Sequence, residues 1–183
     1  ALVEINPDRY ARPGIKIFRK SWKETLSKLH EHPAHLELEN GYVLSDPSGI
    51  WVYLMEGPSP EVDKKGMNPG LLGNFAGISL ECIRFEASLD FWKALGFFQT
   101  GGNPEHGWVS LANDEEEGLS LMKALACPHL FYNPSLTYFN GKENLQIIER
   151  IRASGLPIAE EVTHFNLEGE VDNLILRDPG GIG

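Results

Sequence analysis

The sequence contains little cysteine and comparatively few basic residues. Its 183 residues include only two cysteines, Cys82 and Cys127, and they do not form a closely spaced metal-binding pair. Lys and Arg number 16 against 26 Asp and Glu, which gives a formal net charge of −10. Nucleic acids and anionic membranes bind clusters of Lys and Arg, so this charge balance argues against both as partners. The cysteines are expected to be buried thiols in a reducing compartment.

Several membrane and catalytic signatures are also absent from the sequence. No apolar run approaches the length of a membrane-spanning helix. The glycine pairs Gly101-Gly102 and Gly180-Gly181 are predicted to be turns, because neither is followed by the helix and lysine of a phosphate-binding loop. No pattern indicates a nucleophile elbow, a CxxC pair or a Ser/His/Asp set. We therefore expect a soluble, cytoplasmic protein.

The clearest pattern in the chain lies between Gly77 and Phe97. Apolar residues first alternate with small or polar ones, and from Glu86 onward they recur three and four positions apart. This change of period predicts a strand followed directly by a helix. The helix must cover the apolar face of the strand, which carries Ile78, Leu80 and Cys82. The opposite face, where a functional site would lie, carries Gly77, Ser79 and Glu81.

The order of strand and helix patterns repeats along the chain. Each unit consists of a strand, a helix and three strands, which is typical of a repeated supersecondary unit. Ala1–Asn6 is predicted to be the last strand of one unit, and two whole units and most of a third follow. The predicted helices span Ser21–His30, Glu86–Leu95 and Lys142–Ser154. Two tight turns, Asp46-Pro-Ser-Gly49 and Asp178-Pro-Gly-Gly181, occupy matching places in their units.

These motifs together resemble the glyoxalase/bleomycin-resistance/dioxygenase family, also called vicinal oxygen chelate proteins. The resemblance is carried by the two turns, by Glu86-Ala-Ser-Leu-Asp-Phe-Trp92 with Leu95-Gly-Phe97, and by the helix end Ile151-Arg-Ala-Ser-Gly155. It implies an α+β fold in which tandem βαβββ modules form cupped mixed sheets with helices on the outer face.

The resemblance also implies one and a half tandem domains. Residues 1–56 would be the C-terminal part of a first glyoxalase-like domain, whose first module would precede Ala1. Residues 57–76 are rich in Gly and Pro and are predicted to be a linker. Residues 77–183 would be a second domain whose last strand lies beyond Gly183. The tandem repeat is expected to form a pseudo-dimer, in a protein that is a monomer or a homodimer.

A further implication of the resemblance concerns metal binding. Family members usually hold a divalent metal with His, Glu or Gln on the first strand of a module and Glu on its last strand. The residues at those positions here are Gly14 or Ile15, Gly77, Leu136 and Tyr53. None of them binds a metal well, and Glu4 is the single, weak candidate at a matching position. We therefore predict no cofactor, and a divalent metal only if its ligands lie outside this chain.

Three histidines close together in sequence offer a second, weaker metal hypothesis. His30, His32 and His35 lie around the predicted end of a helix and around Pro33. The dipole of a helix favours a cationic side chain at its C-terminal end, which is sufficient reason for their presence. A surface role is therefore favoured over a zinc site.

The candidate ligand-binding residues lie on the predicted cup faces. In the second domain Ser79, Glu81, Tyr138 and Asn140 share strand faces and could orient a polar or cationic small molecule. Glu81 either pairs with that ligand or lies at the rim in water, since a buried carboxylate must be paired. In the first domain Trp51 and Tyr53 either line a dry pocket or fill the cup as core.

Three functions remain open at this point. The first is a protein without the family's metal ligands that binds a small organic molecule in the sheet cup. The second is a metal-dependent lyase or dioxygenase whose ligands lie outside this chain. The third is a structural or interaction module without activity. The residues at the family's ligand positions favour the first and the third, and whether the protein is an enzyme stays open.

Overall fold

The computed structural model describes residues 3–29, 35–61, 65–66 and 70–183. The strands are β1 Gly14–Arg19, β2 Leu36–Leu38, β3 Gly41–Ser45, β4 Trp51–Glu56, β5 Phe75–Cys82, β6 Phe98–Asn103, β7 Trp108–Ala112, β8 Gly118–Lys123, β9 Ser135–Tyr138, β10 Ile158–Val162 and β11 Asn173–Leu176. The α-helices are α1 Lys23–Lys28, α2 Phe85–Ala94 and α3 Asn144–Ser154, with short 3₁₀ turns at Pro104–His106 and Gly141–Glu143. No helix in these described ranges is long and apolar enough to cross a membrane.

The first four strands and α1 form a βαβββ unit, which we name module one. Its sheet has the order β1-β4-β3-β2. The first strand, β1, runs parallel to the fourth, β4, and the remaining neighbours are antiparallel. A parallel pair needs a crossover connection, and α1 is part of that connection.

Module two, from β5 to β8 with α2, has the same topology. Its strands occur in the order β6-β7-β8-β5, and β5 runs parallel to β8. The sheet is extended to five strands by β9, which pairs antiparallel with the other edge of β5. Module three comprises β9, α3, β10 and β11, and it therefore joins module two through the first strands of both. The α+β fold with mixed sheets and repeated βαβββ units is confirmed.

A single hydrophobic core serves modules one and two. Val52 and Leu54 of β4 and Leu80 and Cys82 of β5 are all completely buried in it. The aromatic residues of the core are Trp22, Phe85, Phe91, Trp92 and Phe97. The predicted alternation of β5 is thereby confirmed, because its apolar face packs in the core beside α2.

Polar contacts also join modules one and two. Asp46, in the predicted tight turn, is 2% exposed, and its Oδ1 accepts the N–H groups of Ser48 and Ile50 at 2.9 Å. The hydroxyl of Ser88, on α2, donates to Asp46 Oδ2 at 3.1 Å. The Ser48 hydroxyl lies 2.8 Å from that of Ser88. The turn of module one is therefore fixed to the helix of module two by a buried carboxylate.

The prediction of a strand over Ala1–Asn6 is wrong for residues 3–6, the part of this segment that the structure describes. Val3 to Asn6 are exposed and form no strand. A strand needs a neighbour for its backbone hydrogen bonds, and residues 3–6 pair with no other described strand. Glu4 instead forms an exposed salt bridge with Lys16 of β1.

One strand was not predicted from the sequence, and another begins earlier than predicted. Gly101 and Gly102, predicted to be a turn, lie within β6. A register shift between Gln99 and Gly101 lets the strand tolerate them, and Gly102 has a positive φ of 77°. The strand β5 begins at Phe75, so it includes two residues that were assigned to the linker.

The start of α1 also differs from the prediction, which placed it at Ser21. The helix begins at Lys23 without a side-chain cap, and Glu24 pairs with Lys28 at 2.7 Å. Trp22 holds the helix start instead. Its indole N–H donates to the backbone oxygen of Met55 at 2.9 Å, and the side chain is completely buried.

In module three, α3 buries one face and exposes the other. Ile147, Ile148 and Ile151 are buried, whereas Leu145 is 56% exposed. At 3.6 residues per turn, position 145 lies more than about 100° around the helix from Ile147 and Ile151, so its side chain projects away from the packed face. The strand β10 begins at Ile158, four residues after the end of α3.

Candidate functional site

The five-stranded sheet has one face against the core and an opposite face, which we name the cup face. Alternation along β8 buries Leu119 and Leu121 in the core and leaves Ser120 on the cup face, half-buried. Ser120 lies directly opposite Ser110 of β7 and, on its other side, opposite Ser79 of β5. Ser79 in turn lies opposite Ser135 of β9. These four side chains form a serine row across β7, β8, β5 and β9.

The two halves of the serine row, Ser79 with Ser135 and Ser110 with Ser120, differ in the hydrogen bonding of their hydroxyl groups. Ser79 Oγ lies 2.6 Å from Thr137 Oγ1, and Ser135 donates to the backbone oxygen of Gly183 at 3.1 Å. The hydroxyl groups of Ser110 and Ser120 have no hydrogen-bond partner among the residues that the structure describes. Neighbouring strands are about 4.8 Å apart, so the row extends over roughly 14 Å. Two adjacent hydroxyls on the cup face are thus available to a ligand.

An apolar surface borders the serine row. Trp108 and Met122 lie directly opposite each other on β7 and β8, and Trp108 is 44% exposed. Met122 Sδ lies 3.0 Å from Cys127 Sγ, in the loop after β8. Burial and, to a lesser extent, the carboxylate of Glu81 raise the pKa of the Cys127 thiol. This thiol is therefore neutral at physiological pH, and the border of the row carries no charge from it.

A cavity of about 380 Å³ adjoins the serine row at β9. From the cup face it is lined by Ser79, Met122, Ser135 and Thr137. The remaining lining is mostly apolar and includes Ile147, Ile148, Ile151, Phe165, Leu174 and Leu176. Residues of both faces of β9 line the cavity, so it follows the outer edge of that strand. The lining residues that the structure describes include one carboxylate, Asp178, and no Lys or Arg.

Three of the predicted site residues lie in this cavity. Ser79, Tyr138 and Asn140 all contribute to its lining. The Asn140 side chain accepts the Asn74 N–H at 2.8 Å and donates to the Leu72 backbone oxygen at 3.0 Å. That amide therefore fixes the segment before β5, and it has less hydrogen-bonding capacity left for a ligand.

Glu81 lies on the cup face but outside the residues that line the cavity. Its Oε1 accepts the N–H of Leu125 at 2.8 Å. Its backbone N–H and C=O bond to the side chain of Asn133, at 3.2 and 2.7 Å. Leu125 has a positive φ of 63°, so the carboxylate stabilises a turn that contains no glycine. The structure thus gives Glu81 a role in holding the loops after β8 and before β9.

The two candidates in module one lie on a different sheet. Trp51 and Tyr53 project from β4 on the face opposite the core, where Trp51 is 43% exposed and Tyr53 is half-buried. They cover Gly14 of β1, where an added Cβ would lie 2.8 Å from the Tyr53 ring. They are separate from the cavity and from the serine row.

The described residues do not fit a metal ion. No group of three or more His, Cys, Asp or Glu side chains in the described ranges is arranged to hold one. Glu4, the weak candidate, is paired with Lys16. His30 and His32 lie outside the described residues, and the ring of His35 packs edge-on against Tyr42 at 5.5 Å.

Sequence reasoning found Ser79 on the cup face but missed Ser110, Ser120 and Ser135. Ser110 and Ser120 are each the single hydroxyl on their face of an alternating strand, and Ser135 shares its face of β9 with Thr137, so the signal is weak. Their significance depends on the register between strands, which places them in one row. The alternation of Leu119, Ser120 and Leu121 is the one signal that could have directed attention to β8.

Solved structures similar to this chain carry names from the family that its motifs resemble. BphC, a halotolerant catechol dioxygenase, matches 91% of this chain with a TM-score of 0.49 and 11% identity. A manganese-bound glyoxalase from Novosphingobium aromaticivorans matches 80% of the chain with a TM-score of 0.43 and 14% identity. A fosfomycin resistance protein, FosX from Listeria monocytogenes, matches 63% with a TM-score of 0.34 and 15% identity.

The chain spans 64% of the dioxygenase, 52% of the glyoxalase and 91% of the FosX protein. No family model and no curated protein matches it. The fold assignment rests on the strand order and pairing of modules one and two. Both modules have the βαβββ topology, with the first and fourth strands parallel, that the resemblance to the glyoxalase/bleomycin-resistance/dioxygenase family implies.

Proposed function

We propose that the cup face binds a small, uncharged organic molecule through the serine row, without a metal ion. The observation that carries this proposal is the pair of hydroxyls on Ser110 and Ser120. Both are half-buried, directly opposite each other and without a partner among the described residues. Each hydroxyl has one donor and two acceptor sites, so the pair can bind both a carbonyl and a hydroxyl group of a ligand.

The charge of the surroundings supports an uncharged ligand. Burying an unpaired charge is costly, and the cavity beside the serine row offers a single exposed carboxylate, Asp178, as a counter-ion. The cationic ligand considered for Glu81 is less favoured, because that carboxylate lies outside the residues that line the cavity. Trp108 and Met122 supply an apolar surface on which a ring or an alkyl group can pack.

The test is a ligand-observed NMR screen of neutral small organic molecules, including diols, cyclic ketones and phenols. Ligands found in the screen are then compared on the wild type and on Ser120→Ala. Loss of one hydrogen bond of about 1 kcal/mol should weaken binding roughly fivefold. Ser27→Ala is the matched control, because Ser27 is an exposed serine on α1 whose hydroxyl donates to the Glu24 backbone oxygen. This control should leave the affinity unchanged.

The proposal fails if every ligand binds Ser120→Ala as tightly as the wild type, or if the bound ligands perturb amides only on α1 and α2. The metal-dependent alternative is tested on the same protein by elemental analysis after dialysis. We expect no stoichiometric divalent ion. About one retained equivalent per chain would instead favour a metal-dependent lyase or dioxygenase.

A further inference from the structure

An aromatic side chain borders the two unpartnered serines of the cup face, Ser110 and Ser120, which we name the serine pair. Trp108 is two positions before Ser110 on β7, so both side chains point to the same face of the sheet. Two residues of a strand span about 6.5–7 Å, which is close to the width of a six-membered ring with its substituents. A single ring therefore reaches from the Trp108 indole to the hydroxyl of Ser110.

The indole of Trp108 packs against the backbone of β6. Gly102, on β6, has no side chain, and an added Cβ would lie 2.7 Å from Trp108 Cε3. This close contact requires a glycine, and it holds one side of the indole on the sheet. Trp108 is nevertheless 44% exposed. The other side of the indole is therefore open to a ligand.

Three hydrogen-bonding groups of this site have no partner. They are the indole N–H of Trp108 and the hydroxyls of Ser110 and Ser120, none of which bonds to a residue that the structure describes. By contrast, the indole N–H of Trp22 donates to the Met55 backbone oxygen. The Trp108 N–H is a donor only, whereas each hydroxyl both donates and accepts. Together these groups match a ligand with several neighbouring hydroxyls.

The register of β7 and β8 brings the serine pair close together. The Lys123 N–H donates to the Gly107 backbone oxygen at 2.8 Å, and hydrogen-bonded pairs alternate with non-hydrogen-bonded pairs along antiparallel strands. Ser110 and Ser120 lie three positions from that bonded pair, so they form a non-hydrogen-bonded pair with Cα atoms about 4.5 Å apart. Two hydroxyls at this spacing can bond to hydroxyl groups on adjacent carbons of one ligand.

Small residues surround the serine pair on the sides away from Trp108. Gly101 lies opposite Ser110 on β6, and a Cβ added there would contact only Ser110 within 4 Å. Ala112 and Gly118 lie opposite each other two positions further along β7 and β8. A ring that packs on Trp108 and reaches the serine pair therefore meets no large side chain at these positions.

The exposure of the site favours a polar ring over an apolar one. Trp108 is 44% exposed and the serine pair is half-buried, so a bound ligand keeps one side in water. An apolar ring gains in proportion to the area that it removes from water, which is small here. A sugar keeps its outer hydroxyls hydrated, and the C–H groups on one face of a pyranose fit the negative face of an indole.

We propose that the cup face binds a carbohydrate. One face of a pyranose ring packs on Trp108, and two hydroxyls on adjacent ring carbons bond to Ser110 and Ser120. This inference rests on the proposed function, because it specifies the class of the uncharged ligand. It adds Trp108 as the residue that selects a sugar from other neutral molecules.

The test measures the binding of three methyl glycosides, those of β-glucose, β-galactose and α-mannose, by saturation-transfer NMR. Phenol has a ring without adjacent hydroxyls, and glycerol has adjacent hydroxyls without a ring, so both are comparison compounds. We expect at least one glycoside to bind in the millimolar range, about tenfold or more tighter than phenol and glycerol. Its ring C–H protons should receive the saturation, and the amide resonances of β7 and β8 should shift.

A matched pair of tryptophan variants provides a second measurement. Trp51 is 43% exposed on the sheet of module one, and Trp108 is 44% exposed on the cup face. Trp108→Ala should weaken glycoside binding by about tenfold, whereas Trp51→Ala should leave it unchanged. Trp108→Tyr keeps an aromatic face and should lose less than about threefold. Circular dichroism checks that the variants are folded.

The possible outcomes separate this inference from the proposed function. The carbohydrate inference alone is overturned if phenol or a cyclic ketone binds through Ser120 more tightly than every glycoside. It is also overturned if Trp108→Ala and Trp51→Ala bind the glycosides equally well, or if the shifted resonances lie outside β7 and β8. If no neutral compound binds at millimolar concentration, both the inference and the proposed function fail.

Discussion

Replacing Ser88 by alanine removes a hydrogen bond between modules one and two. Ser88 is completely buried on α2, and its hydroxyl donates to Asp46 Oδ2 at 3.1 Å. Asp46 is 2% exposed, so water cannot easily replace the lost donor. The substitution leaves the two other donors of Asp46, the N–H groups of Ser48 and Ile50, in place. It therefore tests the contact between the modules and not the turn itself.

The magnitude follows from the kind of hydrogen bond that Ser88 makes. A hydrogen bond to a charged group contributes about 1.5–3 kcal/mol to stability. Alanine recovers up to about 0.5 kcal/mol through its higher helix propensity. We therefore expect Ser88→Ala to lower the free energy of unfolding by about 1–2.5 kcal/mol. In a chain of this length the melting temperature should fall by roughly 3–8 °C.

Urea unfolding followed by circular dichroism measures this change, with Ser27→Ala as the control. The exposed Ser27 hydroxyl donates to a neutral backbone oxygen, so its loss should change stability by less than about 0.5 kcal/mol. The reasoning is refuted if Ser88→Ala and Ser27→Ala have the same midpoint. It is also refuted if the two modules unfold in separate transitions in the wild type, because a shared core and a buried carboxylate should couple them.

The two cysteines and one glycine give further predictions. Burial raises the pKa of Cys82 to about 11, so iodoacetamide at pH 8 should modify Cys127 at least tenfold faster, as peptide mass mapping would measure. Burial and the Glu81 carboxylate raise the pKa of Cys127. Glu81→Gln should therefore lower the pKa of Cys127 and speed the modification of this thiol by iodoacetamide. An unchanged rate of modification would contradict the electrostatic effect of Glu81 on Cys127. Gly77→Ala should cost about 3 kcal/mol or more, since φ is +142° and the Cβ would lie 2.3 Å from a backbone oxygen of β8. Gly155→Ala, with a positive φ but open space, should cost only about 1 kcal/mol, and equal losses would rule out the close approach.

Sequence periodicity predicted the elements whose two faces differ strongly. The alternation of Ile78, Leu80 and Cys82 with smaller or polar residues identified both β5 and its cup face. The same reasoning failed at Gly101-Gly102, because glycine has no side chain to show an alternation. Trp22 was overlooked for a different reason, since its buried indole stabilises the start of α1 through a hydrogen bond to Met55, which is distant in sequence.

The candidate site was predicted only as far as single strands allow. Ser79 could be placed on the cup face because its own strand shows the alternation. The sequence could not show that Ser110 and Ser120 lie in one row with Ser79, because the register between strands is set by backbone pairing. The bond from Leu125 to Glu81 was also out of reach, since it depends on a left-handed residue that is not glycine.

The position of β5 has a consequence for how the chain folds. It pairs with β8 and with β9, and the paired residues Ile78 and Leu119 are on the order of 40 positions apart in sequence. Closing such large loops is slow, because the entropy of the chain is lost before the contacts form. β9 follows β8 in sequence, so one edge of β5 stays open until β9 has been synthesised and docks. A nascent chain that contains modules one and two therefore exposes an apolar strand edge, and a chaperone that shields this edge should raise the yield of folded protein.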